Sequence, residues 1–458
     1  MKILYYYAVF RKAIKLDIFD INYEFSSELL DYMGLEISGS YKKGILNRIV
    51  AFAWHMFKAF KDLLLAKPTN IPTHAVIFWT VGKNDTDSVW PICSMVSGGY
   101  LVDNSNRMEQ NFPWFFAYMI SVLFWPFLVL NFFKSQGYQR RSFRQILDYY
   151  WCTYGLYIMG RYWIHSLQPK AIVFCNLLHP YHRVLQKSAK DEGVISIYVQ
   201  HTSLINNMPL FTCNYILLEG KDALLKATAA GIEQAKVFLI GMPKHDAYVH
   251  QVNSQQKVLA VGLCTNGLDP LFAADELVSQ LRRNFPRLPV IIRPHDADRR
   301  TPLWQELAQK YNMIFSDSRI EFSFEFLRKV DAVISGDSNI LLEVALMNVV
   351  PIYFDFRGKH LDWYGFYKNG LVDYFSEPGD VCNYLSKIMR DKPHVRTKAK
   401  YYNAAINTNI DGHSSKLAAE LIKVIISNNK QIDCNEWQRI PIKGIEAYEY
   451  VGSKLTAV

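Results

Sequence analysis

Between Asn111 and Phe133 the chain has no Asp, Glu, Lys, Arg or His. It is also short of cysteine in any usable framework. Its seven cysteines (Cys93, Cys152, Cys175, Cys213, Cys264, Cys382, Cys434) are an odd, scattered set with no Cys-x-x-Cys. That excludes a disulfide scaffold and a structural zinc site, and a reducing compartment is expected. There is no Walker phosphate loop and no Gly-x-Gly-x-x-Gly, so the usual signatures of P-loop kinases and dehydrogenases are missing. What is there is a chain of 458 residues, half hydrophobic and 20% charged. It is too apolar for disorder and long enough for two domains. The net charge of +9 comes from 51 basic and 42 acidic side chains, and part of it is clustered. Lys42, Lys43, Arg48, Lys58, Lys61 and Lys67 stand against one acid, Asp62; Lys134, Arg140, Arg141 and Arg144 form a second group. Such clusters attract phosphate. The pI near 8.9 is mild and the bases flank apolar runs, so no nucleic-acid partner is expected.

Trp114 to Phe133 is 20 residues with six Phe and two Trp. That is enough to cross a hydrocarbon core of about 30 Å, yet Pro126 interrupts it and Arg107 and Lys134 flank it. A crossing would also separate the strand-like Ala75–Thr80 from strands after residue 170. The segment 111–133 is therefore expected to be a kinked helix or hairpin in a membrane interface, or packed on its domain. Residues 44–67 have Ile45, Ile49, Phe52, Met56, Phe60 and Leu63–Leu65 on one helical side and bases on the other, a second surface for a membrane or a core. Met1–Tyr7 has no cleavage-site pattern and reads as a first strand.

The remainder alternates strand and helix. Strands are expected at 171–175, 194–199, 215–218 and 237–240, then at 258–262, 289–293, 332–335 and 350–354, with helices between. This predicts an α/β chain of two tandem, doubly wound (Rossmann-like) domains facing a cleft: residues 1–250 and 251–425, with 426–458 a tail that can pack back on the first. Ligands of such sheets sit beyond the strand C-termini.

Polar groups stand at those ends. In the first domain they are Asn84, Asn176, His179, Gln200, His201 and Thr202; in the second, Gly262, Thr265, Asn266, Arg293, His295, Ser335, Gly336, Asp337 and Ser338. Ser335–Ser338 runs into a helix carrying Glu343, whose N-terminus suits a phosphate and whose glutamate suits a ribose. Arg293 and His295 straddle Pro294 and suit a diphosphate. His201 is the candidate general base, and His295 the second catalytic histidine. Asp296-Ala297-Asp298 reads as a solvated turn, and no metal set is convincing.

At these residues the chain resembles bacterial GT-B glycosyltransferases of surface-polysaccharide biosynthesis, in the loose group of capsule Kdo transferases, polysialyltransferase-like enzymes and CDP-glycerol glycerophosphotransferases. Ala189 to Gly193, a strand, then Gln200-His201-Thr202 is similar to a passage of that group, with Thr202 in place of its glycine. Arg293-Pro294-His295 resembles its phosphate loop with the proline moved. Ser335–Ser338, Glu343 and Val350-Pro351-Ile352 resemble its donor loop, helix and strand, and Tyr401-Tyr402 with Asp411–Ser415 its closing passage. The likeness spans 165–425. It implies a metal-independent transferase without a cofactor. A nucleotide-activated sugar, CMP- or CDP-linked, would bind the second domain. A lipid-linked or oligosaccharide acceptor would bind the first, at Asn84, Asn176, His179, Gln200 and Thr202. Residues 44–67 and 111–133 would then meet the cytoplasmic face of a bacterial inner membrane. The alternatives are a sugar-nucleotide epimerase of the same fold and a non-catalytic, membrane-associated binding module.

Overall fold

A computed structural model describes residues 2–26, 29, 44–104, 109–427 and 436–452. Lys42, Lys43, Arg107 and Cys434 lie outside them. The first domain contributes β1 (Val76–Thr80), β2 (Gly99–Asp103), β3 (Ala171–Phe174), β4 (Ile195–Val199), β5 (Tyr215–Leu218) and β6 (Lys236–Leu239). The second contributes β7 (Val261–Thr265), β8 (Val290–Pro294), β9 (Ile314–Phe315), β10 (Ala332–Ser335), β11 (Val350–Phe354) and β12 (Asp373–Phe375). The chain ends with β13 (Trp437–Ile440) and β14 (Glu446–Tyr450).

The second sheet is parallel throughout, in the order β9-β8-β7-β10-β11-β12. The first runs β13-β14-β6-β5-β4-β3-β1-β2. Its pairs are parallel except β13 with β14. Val76 pairs with Ala171, so the strand before the apolar segment lies in the same sheet as the strands after it. The tail residues 437–450 extend that sheet at β6. Both sheets are wrapped by helices, as buried apolar strands in parallel register require.

The helices that matter here are α1 (Lys2–Ala13), α2 (Ile45–Leu65), α3 (Lys83–Cys93), α4 (Trp114–Val122), α5 (Trp125–Lys134), α6 (Gly137–Leu167), α7 (Pro180–Glu192), α8 (Ile340–Leu346) and α9 (Ser414–Ile426). On one face of the first sheet α6 and α7 form the inner layer, and α1, α2, α4 and α5 pack outside them. On the other face lie α3 and α9.

Three expectations are corrected. The N-terminal run is helical, not a strand: α1 buries Val9 and Ala13, and Tyr5 donates its hydroxyl to Glu192 (2.9 Å). A short aromatic run carries no period that separates the two states. The first strand of the second domain starts at Val261, three residues late. The Asp331 carboxylate takes the Leu259 and Ala260 N–H groups (2.8 and 3.1 Å) before the ladder begins. Residues 414–425 belong to the first domain: Leu417, Leu421 and Ile425 of α9 pack with Val76 and Phe238. That return is fixed by Asp246, whose carboxylate caps α9 at the N–H groups of Ser414 (3.0 Å) and Ser415 (2.6 Å).

The apolar segment is broken. α4 and α5 meet at 68°, and among the described residues no single helix is long and apolar enough to cross a membrane. Pro126 sits in the first turn of α5, where its missing N–H is no loss. α4 lies tight on α6 because position 155 is glycine: a Cβ there would stand 1.8 Å from the Ala117 carbonyl. Arg48 was expected on an exposed basic face. It is buried instead, with Nε and Nη2 donating to both oxygens of Asp148 (2.9 and 2.7 Å).

Candidate active site

A cleft of about 380 Å³ separates the C-terminal ends of the two sheets. From the first domain it is lined by Lys83, Asn84 and Asp87 on α3, His201 and Thr202 after β4, and Lys244 after β6. From the second it is lined by Thr265 ending β7, Arg293 and His295 at the end of β8, Ser335 and Ser338 around the turn after β10, and Glu343 on α8. The strands place these groups because each runs out of sheet there and hands its polar loop to the gap.

His201 is buried. Its Nε2 stands 3.5 Å from Asp85 Oδ1, a charge contact longer than a good hydrogen bond. Among the described residues its Nδ1 is buried without a hydrogen-bond partner. Burial lowers its pKa, only partly opposed by Asp85, so the ring is neutral near pH 7 and can accept a proton. Asp85 also meets His182 Nε2 (3.0 Å) and accepts the Val81 N–H (3.1 Å). Burial pushes the Asp85 carboxyl up, but the bond with His182 and the facing histidines outweigh it and hold it well below the usual range. Asp85 is the group the sequence reading missed. The signal was available: Asp85-Thr86-Asp87 follows β1 at the edge where ligands bind, whereas the Asp-x-Asp singled out was 296–298. Asp298 of that pair is no solvated turn; it accepts from Arg300 and the Trp304 indole (2.9 Å). Among the described residues Asp85, Cys175 and His182 form a buried set with donor atoms within 4.8 Å of one another. Burial pushes the Cys175 thiol well up, and Asp85 ties His182 to His201 behind the cleft.

Lys244 crosses the cleft to pair with Glu343. Burial works against its charge, but Glu343 and Glu219 outweigh it and raise its pKa. Glu343, expected to await a ribose, is thus already held by the other domain. Arg293 is likewise engaged: Nη1 donates to Ser316 Oγ (2.8 Å) and Nη2 to the Glu321 carbonyl (2.7 Å), with Phe326 beneath the guanidinium. It braces loop 316–321 and puts a fixed positive charge in the cleft wall. His295 Nδ1 stands 2.8 Å from Asp296 Oδ1 and 3.1 Å from the Ala297 nitrogen, and its ring lines the cleft.

The loop after β10 splits. Ser335 and Ser338 face the cleft, whereas Gly336 and Asp337 face a small cavity behind it with Asp269 and Trp363. Asp337 accepts the Trp363 N–H (2.6 Å), and burial pushes it up to about 7. Gly336 is needed because a Cβ would stand 2.7 Å from Asp269 Oδ1. Asn266 also lines that rear cavity. Gly262 is inside β7, where its missing Cβ makes room for the Phe326 ring, so it packs the core and does not approach a ligand. Asn176 caps the Leu178 and His179 N–H groups, and His179 caps α7; neither lines the cleft. Gln200 is buried, bonded to Glu219 and the Thr202 carbonyl.

Among the described residues, three buried polar atoms of cleft-lining residues have no partner: His201 Nδ1, Thr265 Oγ1 and Ser335 Oγ. Both domains contribute. Unmatched buried groups of this kind cost about 1–3 kcal/mol each.

No family model and no curated protein matches the chain. Its fold is similar to solved structures. Staphylococcus aureus MnaA with UDP shares 12% identity over 78% of this chain and 99% of that one, at a TM-score of 0.51. A putative UDP-N-acetylglucosamine 2-epimerase from Listeria monocytogenes shares 12% over 78% and 98%, at 0.50. The wall teichoic acid polymerase TagF shares 12% over 84% and 98%, at 0.46. Likeness at this identity shows architecture: two Rossmann-like domains face each other in a GT-B-like fold.

Proposed function

We propose that the protein is a glycosyltransferase that moves a sugar or sugar-like group from a nucleotide-activated donor to an acceptor hydroxyl. The observation that carries this is the trio of unpartnered polar atoms, contributed by both domains to one cleft. The volume of about 380 Å³ suits a ligand of nucleotide-sugar size. The second domain holds the donor. Ser335, Ser338 and Thr265 offer hydroxyls to its phosphates, and Arg293 and His295 offset the charge of the departing nucleotide, an electrostatic role that fixed groups perform well. His201 takes the proton of the acceptor hydroxyl at Nδ1, with Asp85 facing the opposite ring nitrogen and favouring its N–H tautomer. The acceptor enters from the first domain past Lys83, Asn84 and Asp87. The carrier nucleotide is CMP or CDP, as the sequence resemblance implies.

The same reading puts the protein on a membrane surface, at the cytoplasmic face of a bacterial inner membrane. It is supported by the outward sides of α1, α2, α4 and α5. Leu4, Leu46, Trp54, Phe57, Leu123, Trp125 and Phe133 are exposed there, beside Lys58, Lys61, Lys134 and Arg140. Aromatic and aliphatic side chains rimmed by bases suit an anionic bilayer interface.

A second reading is a sugar-nucleotide epimerase, favoured by the fold likeness to the Listeria protein. One experiment separates the readings. Purified protein with anionic vesicles is given CMP-, CDP-, UDP- and GDP-linked sugars, with and without a lipid-linked glycan extract. Nucleotide release that depends on the extract supports transfer. Conversion of the nucleotide sugar without an acceptor supports the epimerase, and binding without turnover leaves a non-catalytic module.

A further inference from the structure

The first domain has a second cavity, about 190 Å³, between α2, α4 and the C-terminal ends of β1 and β2. Phe112, Trp114, Tyr118 and Tyr181 wall it with rings, and Asp62, Asp103, His55 and Lys58 stand among its lining groups. Two carboxamides are fixed in that wall by their nitrogens. Asn111, only 4% exposed, donates Nδ2 to the Asp103 carbonyl (3.4 Å), and Asn104 donates to the Thr80 carbonyl (2.8 Å). Each Oδ1 is left buried with no donor among the described residues. Two orphaned carboxamide acceptors suit a ligand that donates hydrogen bonds. A phosphate has only acceptors to offer them; a hydroxyl-rich group has donors. The ring faces suit the C–H surfaces of the same group.

We infer that this cavity binds the glycosyl head group of an amphiphilic acceptor whose hydrocarbon part lies along the exposed sides of α2 and α4. Leu46, Val50, Trp54 and Phe57 on α2 and Phe116 and Met119 on α4 supply that apolar track. The cavity also adjoins the cleft. Val81 lines the one and Lys83 the other, a separation of at most about 7 Å along the chain. The inference rests on the transferase reading and gives its acceptor a place outside the cleft proper.

The test uses the full chain and two probes with the same alkyl chain, both below their micelle thresholds: dodecyl maltoside, with a hydroxyl-rich head, and dodecylphosphocholine, with none. Isothermal titration should show the maltoside binding about tenfold more tightly, the scale of one or two buried hydrogen bonds. Asn111→Leu and Asn104→Ala should each reduce that preference, with CDP binding to the cleft unchanged and a native-like circular dichroism spectrum. Equal binding of the two probes overturns the inference, as does a preference that survives both substitutions. Failure of the transferase reading is a separate result: no nucleotide titrates the cleft of the unmodified protein, whatever the detergents do.

Discussion

The two domains share one plan, a parallel sheet wrapped by helices, and differ in what they leave outside. The second domain packs its helices against its own sheet and leaves only scattered apolar side chains such as Phe272 and Leu303 exposed. The first adds an outer layer whose helices are inserted before and between its strands, and α1, α2, α4 and α5 keep large apolar side chains in contact with solvent. Core packing accounts for Phe52, Ala117 and Leu128, all buried, but not for Leu46, Trp54, Leu123 or Phe133 on the same helices. A sheet of this kind does not need a second helical layer. The surplus surface is where the protein's own partners are to be sought.

That contrast breaks most sharply where the outer layer is anchored. Arg48→Met should leave Asp148 buried and uncompensated and cost about 3–5 kcal/mol of stability; denaturant unfolding measures it. A loss below about 1 kcal/mol would show that α2 is not held by this pair. His201→Ala should lower turnover about a hundredfold or more with the fold intact. The unmodified enzyme should lose activity as pH falls through the lowered His201 pKa, below 6.5, because protonation removes the base. A pH profile without that acid limb would transfer the role to another group. Trp54→Glu with Leu123→Glu should weaken sedimentation with anionic vesicles about tenfold or more. Phe272→Glu with Ile320→Glu, even more exposed but on the second domain, should change nothing. Equal effects would abolish the distinction between the domains.

The smallest expected effect concerns Glu219, buried beside the Lys244–Glu343 pair and pushed up to about 8 by burial. Its folded pKa exceeds its unfolded value near 4.5, so its favourable contribution is complete below that value and is lost as pH rises toward 8. Glu219→Gln should therefore gain about 1 kcal/mol or more at pH 8 relative to pH 5. Paired thermal melts at the two pH values check the sign.

Strands and their polar ends were legible because buried strands and N-capped helices are local patterns. β10, β11 and the helix ended by Gly193 lie where the residues placed them. What was not legible depends on groups far apart in sequence. Lys244 meets Glu343 across 99 positions, and Asp85 meets His182 across 97. Nothing near Glu343 says that its carboxylate is already taken. The division of Ser335–Ser338 between two cavities follows from Asp269 and Trp363 packing behind the turn, which no single-segment pattern shows. The N-terminal helix escaped for the opposite reason: its own residues suit either state, and only the site it fills on α6 and α7 decides.

The return of the chain to its first domain has a mechanical consequence. The connection leaves through Pro243–Gln251 and comes back through the residues before Ser414, and Asp246 on the outward leg grips the start of the inward one. Two tethers clamped side by side make one joint at a single edge of the first domain, and that joint opposes any sliding or twisting that would misalign the two walls of the gap.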